Sequence, residues 1–389
     1  MPGWLFGLLA AAFVLYTDDY VIAGILPELA GELGVTEGQA GQLVTAFSAT
    51  VAVAAPLAAV ALARVPRRRL LAVALLTFIA ANAAAAMTPS FAVLVVLRVL
   101  AALSAAACTP VLFAFAARHA PEEKVGSYLA VVSLGVTGAI AAGVPAGTWI
   151  GGTFGWRGTF AAMAIAGALV VVLLLTTLPR PEGAEEAPAL GEQLRALRRL
   201  PIVLGLLANC VLMTGSMMML TYLAPYLAET TTAGVDERAV AFGLAGIAGM
   251  AGIWLGGVAT DRWGADRALL FGVTMIVAAM VALWALWASR PASLPIVLAV
   301  AAVWGGMAFW NSPAIQARLH RLAGPVSGQA LALNTSGTYL GVSLGAAGGG
   351  VILTGAGPGV LPLSAAAFAI AALVLLALAG RATRVVVPG

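Results

Sequence analysis

Charge is what this 389-residue chain has least of: 9% of its residues are Asp, Glu, Lys or Arg, against roughly 25% in a soluble globular domain. Among its 20 basic residues a single one, Lys124, is a lysine, and Glu123 precedes it. No phosphate-binding G-x-x-x-x-G-K-S/T loop can therefore be written. The histidines are two, His119 and His320, far apart and without acidic or cysteine neighbours at ligand spacing, which argues against a metal centre and against imidazole catalysis. The cysteines are also two, Cys108 and Cys210, each inside a different apolar run. They read as small packing residues and not as a disulfide framework. These scarcities exclude an ordinary enzyme, and neither a cofactor nor a metal is expected.

What is present is apolar: 62% of the residues are hydrophobic. Runs long enough to cross about 30 Å of hydrocarbon can be laid down twelve times, near 4–30, 38–63, 70–87, 91–117, 126–151, 158–178, 201–228, 237–260, 268–288, 294–317, 327–354 and 360–380. The least marked breaks are at Met87 to Phe91 and Gly355 to Leu361. This is an all-α integral membrane protein, and its first span doubles as the targeting signal. Basic residues sort by side. With the N-terminus inside, sixteen of them, from Arg64 to Arg384, fall at cytoplasmic ends, and three, Arg157, Arg238 and Arg290, fall outside. That asymmetry puts both termini in the cytoplasm and explains the net charge of +4 without a nucleic-acid partner.

Residues 179–200 hold eight charges and divide the spans six and six. The expected domains are 1–178, a linker at 179–200, and 201–389. Within the linker Leu190, Leu194, Leu197 and Leu200 recur at helical spacing opposite Arg195, Arg198 and Arg199, the pattern of an amphipathic helix on the inner membrane surface. The two halves echo each other: span five ends GVTGAIAAGVPAGTWIGG and span eleven reads SGTYLGVSLGAAGGG. Glycines on one face let helices approach closely. Paired six-span repeats place a substrate site near the midplane.

These residues resemble the major facilitator superfamily, and within it the twelve-span drug:proton antiporters. GGVATDRWGADR is similar to the superfamily's inner-loop gating motif through Gly257, Asp261, Arg262, Gly264 and Arg267; the copy after span two, ALARVPRRR, has no acid. The resemblance implies that the motif's carboxylate pairs with neighbouring helix ends as a conformational latch. Gly135, Gly138, Gly143, Pro145, Gly147, Gly151 and Gly152 resemble the antiporter motif of span five, with the proline displaced into Gly143-Val144-Pro145. Together with Gly155-Trp156-Arg157, Phe160 and TDDYVIAGILPELA of span one, this looks like the arabinose-efflux and chloramphenicol-efflux subgroup. The fold implied is two pseudo-symmetric six-helix bundles, monomeric, with small-molecule substrates and protons as partners. High Ala, Gly, Val and Arg content suggests a bacterial inner membrane.

Asp18, Asp19 and Arg98 are the formally charged side chains that fall well inside apolar runs, and ionisable groups at bilayer depth mark ion, proton or substrate pathways. A rise of about 1.5 Å per residue puts Asp19 roughly 16 Å and Arg98 roughly 10 Å below the outer ends of their spans, within side-chain reach in depth. Burial favours a neutral carboxyl and a guanidinium favours the charged one, a balance that suits loading and releasing a proton. Neighbouring residues on a helix point about 100° apart, so Asp18 and Asp19 cannot face one spot. Asp19 is the expected proton carrier, and Asp18 turns to a neighbouring helix or to substrate; the alternative is a buried Asp–Arg pair that only locks spans one and four. Met217, Met218, Met219, Tyr222, Trp304, Phe309, Trp310 and Asn311 of spans seven and ten supply the thioether and aromatic surface that suits amphiphilic ligands, or else pack between helices. Asn82, Asn209 and Asn334 are hydrogen-bonding groups in apolar runs, as helix glue or as ligand contacts. The function expected is proton-coupled export of small amphiphilic compounds, with sugar or metabolite export, or a transport-dead sensor, as alternatives.

Overall fold

The structure, a computed structural model, describes residues 2–62, 64–121, 124–179, 200–323 and 327–386. The amphipathic-helix expectation for the 179–200 segment lies outside them. Among the described residues the chain is helical without a strand, and eleven helices are long and apolar enough to cross a membrane. A bent pair, Gly3–Tyr20 and Ile22–Leu33, makes the twelfth, with 45° between its pieces.

The remaining spans are two, Glu37–Ala61; three, Arg67–Met87; four, Phe91–His119; five, Val125–Phe154; and six, Trp156–Thr177. Spans seven, Leu200–Thr221, eight, Val235–Trp263, nine, Ala265–Ala288, ten, Leu294–Ala323, eleven, Ala330–Ala356, and twelve, Pro358–Gly380, follow. Span seven is extended beyond Tyr222 by a short helix, Leu223–Thr230. The expected runs and the observed helices agree to within a few residues.

Local chemistry sets the boundaries. Thr36 and Gln39 form a reciprocal capping box at the start of span two, the Thr36 hydroxyl accepting from the Gln39 amide at 3.1 Å and Oε1 of Gln39 from the Thr36 amide at 2.9 Å. At the weakly marked break after Met87, Ser90 accepts from the Val93 amide and starts span four. Spans five and six meet at a single residue, Gly155, whose φ of 81° is open to glycine and strained for other residues. Gly264 makes the same one-residue corner between spans eight and nine, also at φ 81°.

The chain divides into two compact units, Met1–Pro188 and Ala189–Gly389. In the first, span one packs along span five, two against four, and three against four and six. In the second, seven packs along eleven and twelve, eight against ten, and nine against ten and twelve. Pairing one with five, two with four and three with six in one unit thus corresponds to seven with eleven, eight with ten and nine with twelve in the other. The close pairs rest on glycine. Gly135 lies against Leu9, Ala12 and Phe13, Gly143 against Thr17, Gly147 against Val21 and Gly151 against Ile25, none with room for a Cβ. Gly341, Gly345 and Gly349 are held in the same way against span seven. Small residues replace hydrophobic drive as the source of packing between helices in lipid.

Candidate functional site

Span one is broken where its charge is. Its first helix ends at Tyr20 and the next begins at Ile22. A helix end leaves its last carbonyls without intrahelical donors, and the Asp18 carbonyl is one of these. Arg98 of span four serves it: Nη2 donates to the Asp18 carbonyl at 2.8 Å while Nη1 donates to Asp18 Oδ2 at 2.7 Å. One guanidinium therefore holds both the side chain and the open main chain at the break. Asn82 of span three lies against the same carboxylate and donates its own amide to the Phe78 carbonyl at 3.1 Å.

The pair is sealed from solvent, Asp18 at 0% and Arg98 at 1% exposure. Aromatic faces complete its shell: the guanidinium carbon stands 4.4 Å from the ring centre of Phe47 and 6.0 Å from that of Phe160, a cation–π arrangement that counts for more away from water. Four helices besides span one, namely two, three, four and six, thus converge on one charge pair. Asp19 is buried too, at 2%. Depth alone puts Asp19 within side-chain reach of Arg98, yet the arginine takes its neighbour, because adjacent side chains diverge by about 100° and Asp18 is the one that faces span four.

The antiporter-motif glycines lie beside this centre. Gly143, which closes a π-helical turn over Ala139–Gly143, touches Thr17, the residue before Asp18. A π turn inside an α-helix often accompanies a functional site. Gly138 keeps ordinary van der Waals distance from Phe13, and Pro145 follows in the first turn of the resumed helix.

The expected substrate residues of the second unit are mostly engaged within it. Tyr222 donates its hydroxyl to the Ala346 carbonyl of span eleven at 2.6 Å, and with Met218 it fills the face opposite Gly349. Trp310 donates to the Ala268 carbonyl of span nine at 3.0 Å and lies beside Trp263 and Phe271. Phe309 covers Gly249 of span eight, and Asn311 faces Gly272 of span nine while donating to the Met307 carbonyl. Met217 and Met219 are buried. The Trp304 indole nitrogen, Asn311 Oδ1 and Asn334 Oδ1, however, are buried polar atoms with no hydrogen-bond partner among the described residues.

In the gating motif Gly257 has open space around it, and Asp261, Arg262 and Arg267 are exposed. Beside the motif the carboxylate that ties helix ends is instead Asp266, which accepts from Arg318 Nε at 2.8 Å. The Gly264 corner brings this about by setting Asp266 in the first turn of span nine, beside the end of span ten. The two partners are 52 residues apart, so sequence spacing gave no sign of them. Phe47 was equally hidden, as an ordinary apolar residue in an apolar run. Both cysteines are free and buried, and no group of three His, Cys, Asp or Glu residues suited to a metal occurs among the described residues.

The family model for the Major Facilitator Superfamily matches residues 8–325. The chain belongs to the major facilitator superfamily. It is 36% identical over 316 residues to a chloramphenicol resistance protein of Streptomyces lividans, covering 79% of this chain and 78% of that one. It is 32% identical over 351 residues to the inner membrane transport protein YdhP of Escherichia coli (strain K12), covering 90% and 88%. A chloramphenicol efflux pump of Mycobacterium tuberculosis (strain ATCC 25618 / H37Rv) is 28% identical over 372 residues, with 94% and 89% covered. Among solved structures a D-xylose-proton symporter aligns with a TM-score of 0.77 at 16% identity over 96% of each chain, a likeness of fold alone. This superfamily member is a multi-pass membrane transporter and not an enzyme.

Proposed function

We propose that this transporter is a proton-coupled exporter of small amphiphilic compounds, of the chloramphenicol type, working by alternating access in a bacterial inner membrane as a monomer with both termini cytoplasmic. The observation that carries the reading is the sealed Asp18–Arg98 pair at the break of span one. Membrane-depth carboxylates that hold a cation exchange it for a proton at the cost of one ion pair, which is the currency an antiporter needs. Adjacent acids titrate as a couple. The sequence favours Asp19 as the proton's first residence; handed on to Asp18, that proton removes the charged partner of Arg98 and loosens its hold on the open end of the helix. The efflux relatives support the direction and the ligand class. Trp304, Asn311 and Asn334, with buried polar atoms still unspent, are the residues of choice for substrate contact; Met217, Met218, Tyr222, Phe309 and Trp310 shape the walls from behind.

Collapse of a preformed pH gradient in inside-out vesicles, with phenicols, lipophilic cations and sugars added in turn, tests this. Phenicols or cations should release protons with the wild type and fail to do so with Asp18→Asn and with Asp19→Asn. Release by sugars alone would replace the drug reading with sugar export. Full activity of both variants would remove the aspartates from coupling, and silence with every compound would leave a membrane sensor.

A further inference from the structure

Asn82 belongs to the charged centre, yet proton coupling as described above gives it no part. It is 1% exposed on span three, which packs along spans four and six, so its amide reaches past that packing to the carboxylate of span one. A buried amide is costly unless its polar atoms are used. One N–H goes to the Phe78 carbonyl of its own helix at 3.1 Å, and a carboxamide has a second to give. The Asp18 carboxylate beside it can take that donor: Oδ2 accepts from Arg98 Nη1 at 2.7 Å, whereas Oδ1 is buried without a hydrogen bond of its own. The second unit offers a comparison. Counted from either end of span nine, the place of Asn82 falls on Met280 or Leu283, both buried and apolar, and span seven contains no carboxyl. The amide and the carboxyl occur together in one unit and are missing together from the other.

We propose that Asn82 is a positioning residue of the proton site: its spare N–H serves Oδ1 of the charged Asp18 while Arg98 holds Oδ2, and it thereby sets how readily Asp18 accepts a proton. A hydrogen bond donated to a carboxylate favours its charged form, and losing that bond makes a proton easier to accept. The ionisable groups at Asp18 are Arg98 of span four and Asp19, its neighbour on span one. Spans two and six present the rings of Phe47 and Phe160 to the guanidinium and span five presents Gly143 to Thr17, none of which ionises. Arg98 supplies the fixed charge, and Asn82 is the neutral donor that adjusts its effect. This role rests on the coupling function proposed for Asp18, and measurement separates the two.

Infrared difference spectroscopy of the full chain in detergent, titrated over pH, follows the protonated-carboxyl band that Asp18→Asn removes. Asn82→Leu, of similar volume and without a donor, should move the midpoint of that band up by about one pH unit, a tenfold gain in proton affinity. Asn82→Ala should do the same, and decides alone if the leucine variant does not fold. In the vesicle assay the pH profile of phenicol-driven proton release should move in the same direction by about the same amount. An unmoved midpoint in a folded Asn82 variant, whatever its melting temperature, makes the amide helix glue and overturns the proposal. A midpoint that moves in a protein releasing no protons with any compound upholds the role of Asn82 at Asp18 and overturns the coupling function instead. If Asp18→Asn removes no band at any pH, both fall.

Discussion

Span one against span five and span seven against span eleven are the same joint built twice, with opposite chemistry. Gly135 meets Leu9, Ala12 and Phe13 as Gly341 meets Cys210, Met213 and Thr214, a constant displacement of 201 residues in the partner helix. Continued along both helices, that register sets Thr17, Asp18 and Asp19 opposite Met218, Met219 and Leu220. The backbone approach is shared while the side chains at the same depth are two carboxyls in one unit and thioethers and a leucine in the other. Close glycine packing is thus the scaffold, and charge is an addition to one copy of it.

The addition can be removed to test this. Arg98→Met should cost about 3–5 kcal/mol of stability, because it leaves the Asp18 carboxylate buried without its cation, and thermal unfolding in detergent would register the loss. Adding Asp18→Met, which makes the first joint resemble the second, should recover most of that loss while leaving no substrate-driven proton release. A double variant that is folded and still coupled would move the coupling to Asp19 alone. Next in size, Gly135→Ala and Gly341→Ala force a methyl against helix backbone in each unit and should cost a similar amount, about 1–3 kcal/mol; unequal costs would break the equivalence of the joints. Smaller again, Tyr222→Phe removes one buried hydrogen bond to Ala346 and should cost about 1 kcal/mol, with proton coupling unchanged. Smallest is Glu32→Gln at the solvent-exposed pair with Arg157, for which a melting shift equivalent to less than about 1 kcal/mol is expected.

The spans were legible because apolar length is written directly in the chain, and the span-five glycines because their spacing matches one helix face. The break in span one was not. It falls at Val21, inside a run without glycine or proline at the break, and is held from outside by Arg98, a residue of another helix. Which aspartate faces Arg98 was hidden for a related reason: depth follows from counting residues, but azimuth depends on where span four packs. The aromatic and methionine residues of spans seven and ten were legible as a surface. What the surface touches was set by Gly249, Gly272 and Gly349 across the interface, residues that carry no side chain to advertise the contact.

The one-residue corner at Gly155 links these observations mechanically. Between span five and span six the chain has only the two dihedral angles of that glycine in which to absorb displacement, too little slack for the spans to part company. Thr17 of span one bears on Gly143 of span five, and Phe160 of span six stands under Arg98, which grips Asp18 of span one again. The path closes on itself. In the transport cycle proposed above, movement begun at the aspartates would return to them through this linkage, and the first unit would change state as a whole and not span by span.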